Sequence, residues 1–446
     1  MPAENPQHRP SLGTRLRISL GKGRSTRALL ANSGWMLLDK LFRISISVLV
    51  GAWVARHLGP VAYGELAYVL ALLALFQATC TLGLDGPVVR DIAQDARRTS
   101  VHLGTALRLR LGAGILGWLS AIVIVVALRP GDSTAAVMVA IAGAALVFQP
   151  AEVVDLWFQS QSRSRVSIPF RLAAYCAVAL GKVCLILIGA PLWAFAAAAL
   201  ADIALVAGAL AWAYRQQPTP SKWSWDRSGA ATLLKESWPF MLSAVSIGIY
   251  MRIDQLMLRE LAGERQLGLY SAVMPFSQAW HMVPMALYAS FLPRLAQLQQ
   301  QNLGHYRLRL QQVFSFLAWS GAGVAGLTAL CAPWLVRTLL GAHFVDAIPV
   351  LQWHAITNIF VFLGIAQSLA ILNERTARIA LYKTLIGAVV SVVANFLLIP
   401  RWGAIGSAWA ASISYFCSAV LSNVFLAPHA LRMQLRAFIP FYETRR

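Results

Sequence analysis

Long apolar blocks alternate with short polar segments from about residue 33 to about residue 426. Each block has about 20 residues, the length that an α-helix needs to cross roughly 30 Å of hydrocarbon. Some of the intervening segments, such as Gly189–Pro191 and Pro400–Gly403, are little more than turns. The pattern predicts twelve membrane-spanning helices, at 33–55, 61–84, 107–128, 134–157, 167–188, 192–214, 237–258, 267–292, 312–335, 347–372, 380–399 and 404–426.

The composition agrees with this pattern and argues against a soluble protein. Hydrophobic residues make up 58% of the chain and charged residues only 13%, with a mean hydropathy of +0.61. Soluble domains have about 25% charged residues, which form most of their polar surface. We therefore predict an all-α polytopic membrane protein, with about twelve transmembrane helices in two lobes of six.

The formal net charge of +20 would indicate nucleic-acid binding in a soluble protein. Here the positive residues are segregated between alternate loops, as expected when cytoplasmic loops carry the excess of Lys and Arg. With the N-terminus inside, most of the 38 lysines and arginines fall on predicted inner segments. The predicted outer loops hold only Arg56, Arg129, Arg259, Arg265, Arg337 and Arg401. We therefore expect both termini in the cytoplasm and no nucleic-acid partner.

This topology divides the chain into two lobes and three cytoplasmic segments. The linker between the lobes contains Trp223 and Trp225, which indicate contact with the membrane interface. The expected boundaries are 1–32 for an uncleaved basic tail, 33–214 for the first lobe, 215–236 for the linker, 237–426 for the second lobe and 427–446 for a second tail.

The sequence contains no signal for a metal, a cofactor or a catalytic group. The five cysteines all fall inside apolar blocks, and no pair has CxxC spacing. Gly21-Lys22-Gly23 resembles part of a P-loop, but no Ser or Thr follows the lysine directly. We expect a transporter that needs no cofactor, and not an enzyme.

The turn between the first two predicted spans recurs between the seventh and the eighth. With one inserted residue, the matching pairs are Arg56 and Arg259, Leu58 and Leu261, and Gly64 and Gly268. Because each lobe has an even number of spans, the two copies point the same way across the membrane. We therefore predict a parallel internal repeat, with the substrate path between the halves.

Several segments resemble the O-antigen and polysaccharide repeat-unit flippases of the multidrug/oligosaccharidyl-lipid/polysaccharide export superfamily. In the first lobe these are Leu38–Arg43, Val54–Pro60, Tyr63-Gly64 and Leu82–Asp85 before Val88–Arg90. In the second lobe they are Arg252–Gln255, Gly268–Ala272, Asn395–Pro400 and Gly403–Ala408. The resemblance covers nearly the whole chain in the expected order.

This resemblance implies a two-lobed bundle in the bacterial inner membrane. The bundle would move undecaprenyl-pyrophosphate-linked oligosaccharides from the cytoplasmic to the periplasmic leaflet by alternating access. The implied partners are the lipid-linked oligosaccharide and membrane lipids, with a glycan polymerase and a chain-length regulator as further candidates.

Cations inside the spans are candidates for the transport path, because a charge at the bilayer centre costs at least about 2.5–3.5 kcal/mol. Arginine binds phosphate groups with two parallel hydrogen bonds. The candidate contacts for the pyrophosphate are Lys40, Arg43, Arg252 and Arg171. Two alternatives stay open: Arg43 can pair with Asp39 four residues earlier, and Arg252 or Arg171 can reach the membrane interface.

Acidic residues inside the spans are candidates for ion pairs or for binding a coupling ion. Lys182 and Asp202 lie on one predicted hairpin at heights that differ by about 6 Å, which favours an ion pair. Coupling to a cation through Asp202 is the alternative. Asp254 lies two residues from Arg252, on another face of the helix, so the two cannot neutralise each other within it.

Two further acids lie at the inner end of the fourth predicted span. We expect Glu152 and Asp155 to contact Arg163 or Arg165 at the interface, although a coupling role is the alternative. The full set of candidates for coupling or ion pairing is Asp39, Glu152, Asp155, Lys182, Asp202 and Asp254.

Two other functions are compatible with a polytopic helical chain. A cation-coupled multidrug antiporter of the same superfamily would have an acidic and aromatic cavity. A membrane-embedded glycan polymerase or glycosyltransferase would expose acidic residues on larger periplasmic loops than these. The lipid II flippase branch of the superfamily usually has two more spans than the sequence predicts.

The charge distribution makes a direct prediction about topology. Reporter fusions at Gly263 and Trp402 should be active only in the periplasm, and fusions at Arg98 and Ser164 only in the cytoplasm. The measurement is the activity ratio of alkaline phosphatase to green fluorescent protein at each site. Clear reversal at two of the four positions would contradict the twelve-span topology.

Overall fold

The computed structural model describes the backbone of residues 12–161, 163–217, 222–374 and 376–439, and side chains from residue 41 onward apart from 96, 164 and 377. This part of the chain is almost entirely helical and contains no β-strand. Its helices are α1 (Leu12–Cys80), α2 (Asp85–Gln94), α3 (Thr99–Leu128), α4 (Ser133–Gly143), α5 (Ala145–Phe148), α6 (Val153–Ser160), α7 (Ser164–Leu187), α8 (Leu192–Arg215), α9 (Arg227–Gln278), α10 (Met282–Gln301), α11 (Leu303–Leu335), α12 (Ile348–Ala355), α13 (Thr357–Asn373), α14 (Ala377–Phe416), α15 (Asn423–Leu426) and α16 (Pro428–Ala437).

Three of the long helices turn back on themselves at a glycine. The turns lie at Gly59 in α1 (φ 74°), at Gly263 in α9 (φ 85°) and at Gly403 in α14 (φ 53°). Glycine adopts a positive φ without the steric cost that a Cβ would add. The two segments of α14 lie side by side, as shown by the hydrogen bond that Ser407 Oγ donates to Asn395 Oδ1 at 3.1 Å across the turn.

Nine helical segments of the described chain are long and apolar enough to cross a membrane. Three of the nine contain the glycine turns and therefore cross twice. The described chain thus provides twelve crossings, and the prediction of an all-α polytopic protein with about twelve spans is confirmed.

Two predicted spans are interrupted by proline. The fourth, predicted at 134–157, consists of α4, α5, a 3₁₀ turn at Gln149–Glu152 and α6. Pro150 lies in that turn and has no N–H to continue the α-helical ladder. The eighth, predicted at 267–292, changes from α9 to a 3₁₀ turn at Ala279–His281 just after Pro275, and then continues as α10.

Buried apolar side chains form three clusters. The largest joins the two lobes and contains Tyr68 of α1 and Tyr270 of α9. A second cluster, with Phe314 and Phe362, lies within the second lobe, and a third, with Phe158, lies mainly within the first. Because the largest cluster has residues of both lobes, apolar packing holds the lobes together.

The closest approach of the lobes is between Gly64 of α1 and Gly268 of α9. A Cβ added at Gly64 would lie 2.9 Å from the amide nitrogen of Gly268, and one added at Gly268 would lie 3.1 Å from the amide nitrogen of Gly64. Each glycine lies five residues after its turn, at Gly59 or Gly263, so the contact is reciprocal between matching positions of the repeat. The side of the protein that carries these turns, predicted to be periplasmic, is called the outer side below.

Charged side chains bridge the lobes next to this glycine contact. Arg129, between α3 and α4, forms an ion pair with Glu260 of α9. In the opposite direction, Arg259 of α9 approaches Asp132 at 3.9 Å. Both guanidinium groups lie over the ring of Tyr68, at 4.6 Å for Arg129 and 5.9 Å for Arg259. Glycine packing and ion pairs together close the outer side.

Replacing Gly64 with leucine should separate the lobes on the outer side, because a Cβ at this position already overlaps backbone of the other lobe. Gln278 lies between the lobes, on the inner side of this contact. With the five native cysteines replaced by serine, Gln278→Cys should react with a membrane-impermeant maleimide added outside spheroplasts. We expect labelling at least about threefold faster with Gly64→Leu than without it.

The control for this experiment is Gly112→Leu, since Gly112 is an exposed glycine of α3 with no atom within 4 Å of where its Cβ would lie. Protein levels are compared by immunoblot. Equal labelling of Gly64→Leu and Gly112→Leu at equal protein level would show that the glycine contact does not close the outer side.

Candidate functional site

A cavity of about 570 Å³ lies between the two lobes. Its walls come from both segments of α1, both segments of α9 and the start of α10. The size falls within the range of about 300–1,000 Å³ that is typical of ligand pockets. We call it the central cavity. Its position next to the interlobe glycine contact matches the substrate path that the repeat predicts.

The central cavity is apolar with a small set of polar groups. Its only Lys or Arg among the described residues is Arg252, and none of the described lining residues is Asp or Glu. Among the described residues, the guanidinium of Arg252 has one hydrogen bond, a weak one from Nη1 to Gln255 Oε1 at 3.4 Å. Neutral polar side chains complete the lining at Ser47, Tyr63, Gln255, Ser271, Gln278 and His281. The cavity therefore presents net positive charge.

The periodicity of α9 explains which side chains reach the cavity. Ser271, Gln278 and His281 follow one another by seven and then three residues, so they lie along one helical face. Arg252 and Gln255, three residues apart before the turn, lie on the facing segment. A search of the sequence for charged residues finds Arg252 but misses Gln255, Ser271, Gln278 and His281. The helical spacing of these polar residues within apolar spans could have predicted that they share a face.

Asp254 lies outside the lining of the central cavity. Its carboxylate accepts a hydrogen bond from the hydroxyl of Tyr270 at 2.5 Å, across the α9 turn. The ring of Tyr270 contacts that of His354, and His354 Nδ1 is 2.9 Å from Ser277 Oγ. Asp254 therefore belongs to a polar network inside the second lobe. It also interacts electrostatically with Arg252, which the positions of the two residues on different helical faces did not lead us to expect.

Arg171 and Asp155 form an ion pair at the inner end of the first lobe. Arg171 Nη1 donates to Asp155 Oδ2 at 2.9 Å, and Ser167 Oγ donates to the other carboxylate oxygen at 2.9 Å. Glu152 interacts electrostatically with Arg110 first and with Arg171 second. None of these residues lines the central cavity.

The partner that we predicted for Asp155 was wrong. The sequence pointed to Arg163 or Arg165 because both are close along the chain, whereas Asp155 contacts Arg171 instead. Arg163 precedes α7 and Arg171 lies within it, two turns further on. Packing of α7 against α6 therefore decides the pair, which separation along the sequence does not reveal.

A smaller cavity of about 200 Å³ lies mainly in the first lobe, with Lys182, Tyr175 and also Pro275 of the second lobe in its lining. Asp202 interacts electrostatically with Lys182 most strongly and with Arg43 next. No nitrogen of Lys182 lies within 4.0 Å of the Asp202 carboxylate, so the predicted pair is not in direct contact. The hydroxyl of Tyr175 donates to the backbone carbonyl of Arg43 at 3.0 Å.

Arg43 thus lies beside the α7–α8 hairpin and not in the lining of the central cavity. The side chains of Asp39 and Lys40 lie outside the described part of the chain. Of the four cations predicted for the pyrophosphate path, the structure brings Arg252 alone into the central cavity among those whose side chains are described.

The second lobe contains a buried lysine, Lys383 of α14. Lys383 Nζ donates to Gln367 Oε1, to Asn423 Oδ1 at 3.1 Å and to the Ala419 carbonyl at 3.3 Å. Gln434 of α16 completes this cluster through a hydrogen bond with Asn423 at 3.0 Å. Neutral oxygens solvate this cation, and it does not line the central cavity.

Solved structures with this fold are transporters and a flippase. The lipid II flippase MurJ in an inward closed conformation matches with a TM-score of 0.70 and 14% identity, over 90% of this chain and 90% of that one. A multidrug resistance MATE family transporter of the MOP superfamily matches in its inward-facing conformation with a TM-score of 0.67 and 13% identity, over 88% of this chain and 96% of that one. An outward-facing MATE structure matches with a TM-score of 0.58 and 15% identity, over 92% and 96%.

These identities are low, so the structural matches establish the two-lobed fold and no substrate. A search of the curated proteins finds no match. The sequence itself matches a family model described as "Polysaccharide biosynthesis protein" over residues 53–349, which is more than half of the chain. The matched region includes both glycine turns of the lobe contact and all described polar residues of the central cavity except Ser47. The chain therefore belongs to this polysaccharide biosynthesis family, with the fold of MOP-superfamily transporters.

Proposed function

We propose that the protein is a flippase for undecaprenyl-pyrophosphate-linked oligosaccharide repeat units. It would move the headgroup from the cytoplasmic to the periplasmic leaflet of the bacterial inner membrane. The observation that carries this proposal is the charge of the central cavity. Arg252 and several neutral polar side chains line its wall, and none of the described lining residues is Asp or Glu. An arginine in an apolar cavity, whose electrostatic partner Asp254 lies outside the cavity lining, suits an anionic headgroup.

The same observation argues against a cavity for cationic drugs. Such a cavity needs carboxylates and aromatic faces to bind cations, whereas Tyr63 is the only Phe, Tyr or Trp in its described lining. The family match and the transporter fold support transport and not catalysis as the role of the chain.

The driving force in this proposal is electrical, at least in part. Moving an anion outward from an inside-negative cell is downhill by about 2.3 kcal/mol per charge per 100 mV. Asp202 in the first lobe and Asp254 in the second are candidates for binding a coupling proton or sodium ion in addition. Asp202 is the better candidate, because Asp254 accepts a hydrogen bond from Tyr270 while Asp202 has no direct partner among the described residues.

We further propose that both termini are cytoplasmic and that the repeat unit belongs to O-antigen of lipopolysaccharide or to a related surface glycan. The exported unit would then pass to a glycan polymerase and a chain-length regulator. Arg43 and Arg171 are proposed only as secondary contacts on the inner side, since they are not in the lining of the central cavity. Lys40, whose side chain lies outside the described part of the chain, stays a proposed contact on the strength of its sequence position.

Replacing Arg252 with alanine should stop export while the protein level stays unchanged. Hydrogen bonds to charged groups contribute about 1.5–3 kcal/mol, and each 1.4 kcal/mol is a factor of ten. We expect surface glycan to fall by about 10- to 100-fold in Arg252→Ala. Arg252→Lys should recover only part of it, because lysine cannot donate two parallel hydrogen bonds.

The matched control is Arg265→Ala, since Arg265 lies in the same lobe but on the surface, where it pairs with Asp346 at 2.7 Å. Its glycan level should equal that of the wild type. Full export by well-expressed Arg252→Ala would remove this arginine from the transport path.

Deleting the gene should separate a flippase from a polymerase. A flippase mutant accumulates complete lipid-linked repeat units on the cytoplasmic face, protected in spheroplasts from added glycosidase. If single repeat units instead reach the periplasm and only fail to polymerise, the protein is a polymerase and the proposed function is wrong.

A further inference from the structure

Two buried polar atoms of the central cavity have no hydrogen-bond partner in the described chain. They are the hydroxyl oxygen of Ser271 and Nε2 of His281. Both residues line the central cavity, and Ser271 is only 8% exposed. A buried polar group without a partner is destabilising, and a polar group of a ligand or an ordered water in the cavity would satisfy both atoms.

The chemistry of these two groups differs from that of Arg252. A guanidinium only donates hydrogen bonds and therefore suits phosphate oxygens. A serine hydroxyl both donates and accepts, and Nε2 of histidine does one or the other according to its tautomer. Sugar hydroxyls likewise both donate and accept, so they match Ser271 and His281 better than phosphate does.

The geometry places the two groups at different depths. The hydrogen bond between Tyr270 and Asp254 fixes Ser271 beside the segment that carries Arg252. His281 follows ten residues later, about 15 Å further inward at 1.5 Å per residue. A headgroup with its pyrophosphate on Arg252 would therefore meet Ser271 first, and its sugars would extend inward to His281.

We propose that Ser271 and His281 bind the sugars adjoining the pyrophosphate and so make the site selective for a glycosylated lipid. This proposal rests on the proposed function, because it takes the pyrophosphate as the group bound by Arg252. It adds that the protein distinguishes the glycan-bearing lipid from its sugar-free anchor.

The same helix region supplies matched controls. Ser277 and His354 have the same side chains, but they pair with each other at 2.9 Å and do not line the cavity. Asn358 also donates to Ser277 Oγ, at 3.0 Å. Ser277→Ala therefore removes a serine hydroxyl from the second-lobe network, whereas Ser271→Ala removes one from the cavity wall.

The experiment measures binding of two lipids to the full-length protein in nanodiscs. One probe is undecaprenyl pyrophosphate, and the other is the repeat-unit lipid extracted from the host strain. The wild type should bind the repeat-unit lipid at least about tenfold more tightly. Ser271→Ala and His281→Phe should each reduce that preference by about three- to tenfold, the effect of one hydrogen bond. Affinity for the sugar-free lipid should not change.

Compared with His281→Phe, His281→Gln should regain part of the preference for the repeat-unit lipid, because the glutamine amide can still form a hydrogen bond. Ser277→Ala should keep the full wild-type preference. The inference is overturned if Ser271→Ala and His281→Phe, both shown to be folded by thermal melting, keep the wild-type ratio of affinities. A wild type that binds the two lipids equally overturns it as well, while leaving the pyrophosphate path in place. If the wild type binds neither lipid, the proposed function itself fails.

Discussion

The structure depends on the contact between Gly64 and Gly268, where the backbones of the two lobes meet. A Cβ at Gly64 would overlap the backbone carbonyl of Glu264, and a Cβ at Gly268 would overlap that of Pro60, so no larger residue fits without moving a lobe. The contact brings Arg129 and Arg259 into reach of acids on the opposite lobe. It also leaves a cavity on its inner side. The glycine contact, the ion pairs beside it and the apolar cluster that joins the lobes together close the outer side next to the cavity.

The charges inside the spans fall into two groups once their surroundings are known. Arg171 with Asp155, and Lys383 with its amide oxygens, are satisfied within a lobe. Arg252 differs because its one hydrogen bond, to Gln255, is weak and it opens on the cavity. A buried cation normally carries its own counter-charge. Arg252 interacts electrostatically with Asp254, which lies outside the lining of the central cavity. In our account a further counter-charge, inside the cavity, arrives with the substrate.

The sequence predicts the fold better than it predicts the site. The spans follow from local hydropathy, and the internal repeat was visible in the sequence at Gly64 and Gly268. The structure locates the one inserted residue of the second copy before its turn, because Gly59 and Gly263 each lie five residues before the glycine of the lobe contact. Partners across helices could not be predicted, because the rotation of each helix is set by packing. For this reason Asp155 was given the wrong arginine, and Ser271 and His281, which carry no formal charge, were overlooked.

The most direct test of the account is the distance between the lobes on the outer side during transport. Spin labels at Ser133→Cys and Leu261→Cys would report it, since both positions are exposed and lie on opposite lobes near the glycine contact. Pulsed electron paramagnetic resonance spectroscopy on the labelled protein in nanodiscs, with its native cysteines replaced, should give one short distance between the two spin labels without substrate. Adding the repeat-unit lipid should produce a second, longer distance. A single short distance under both conditions would contradict opening of the outer side by separation of the lobes.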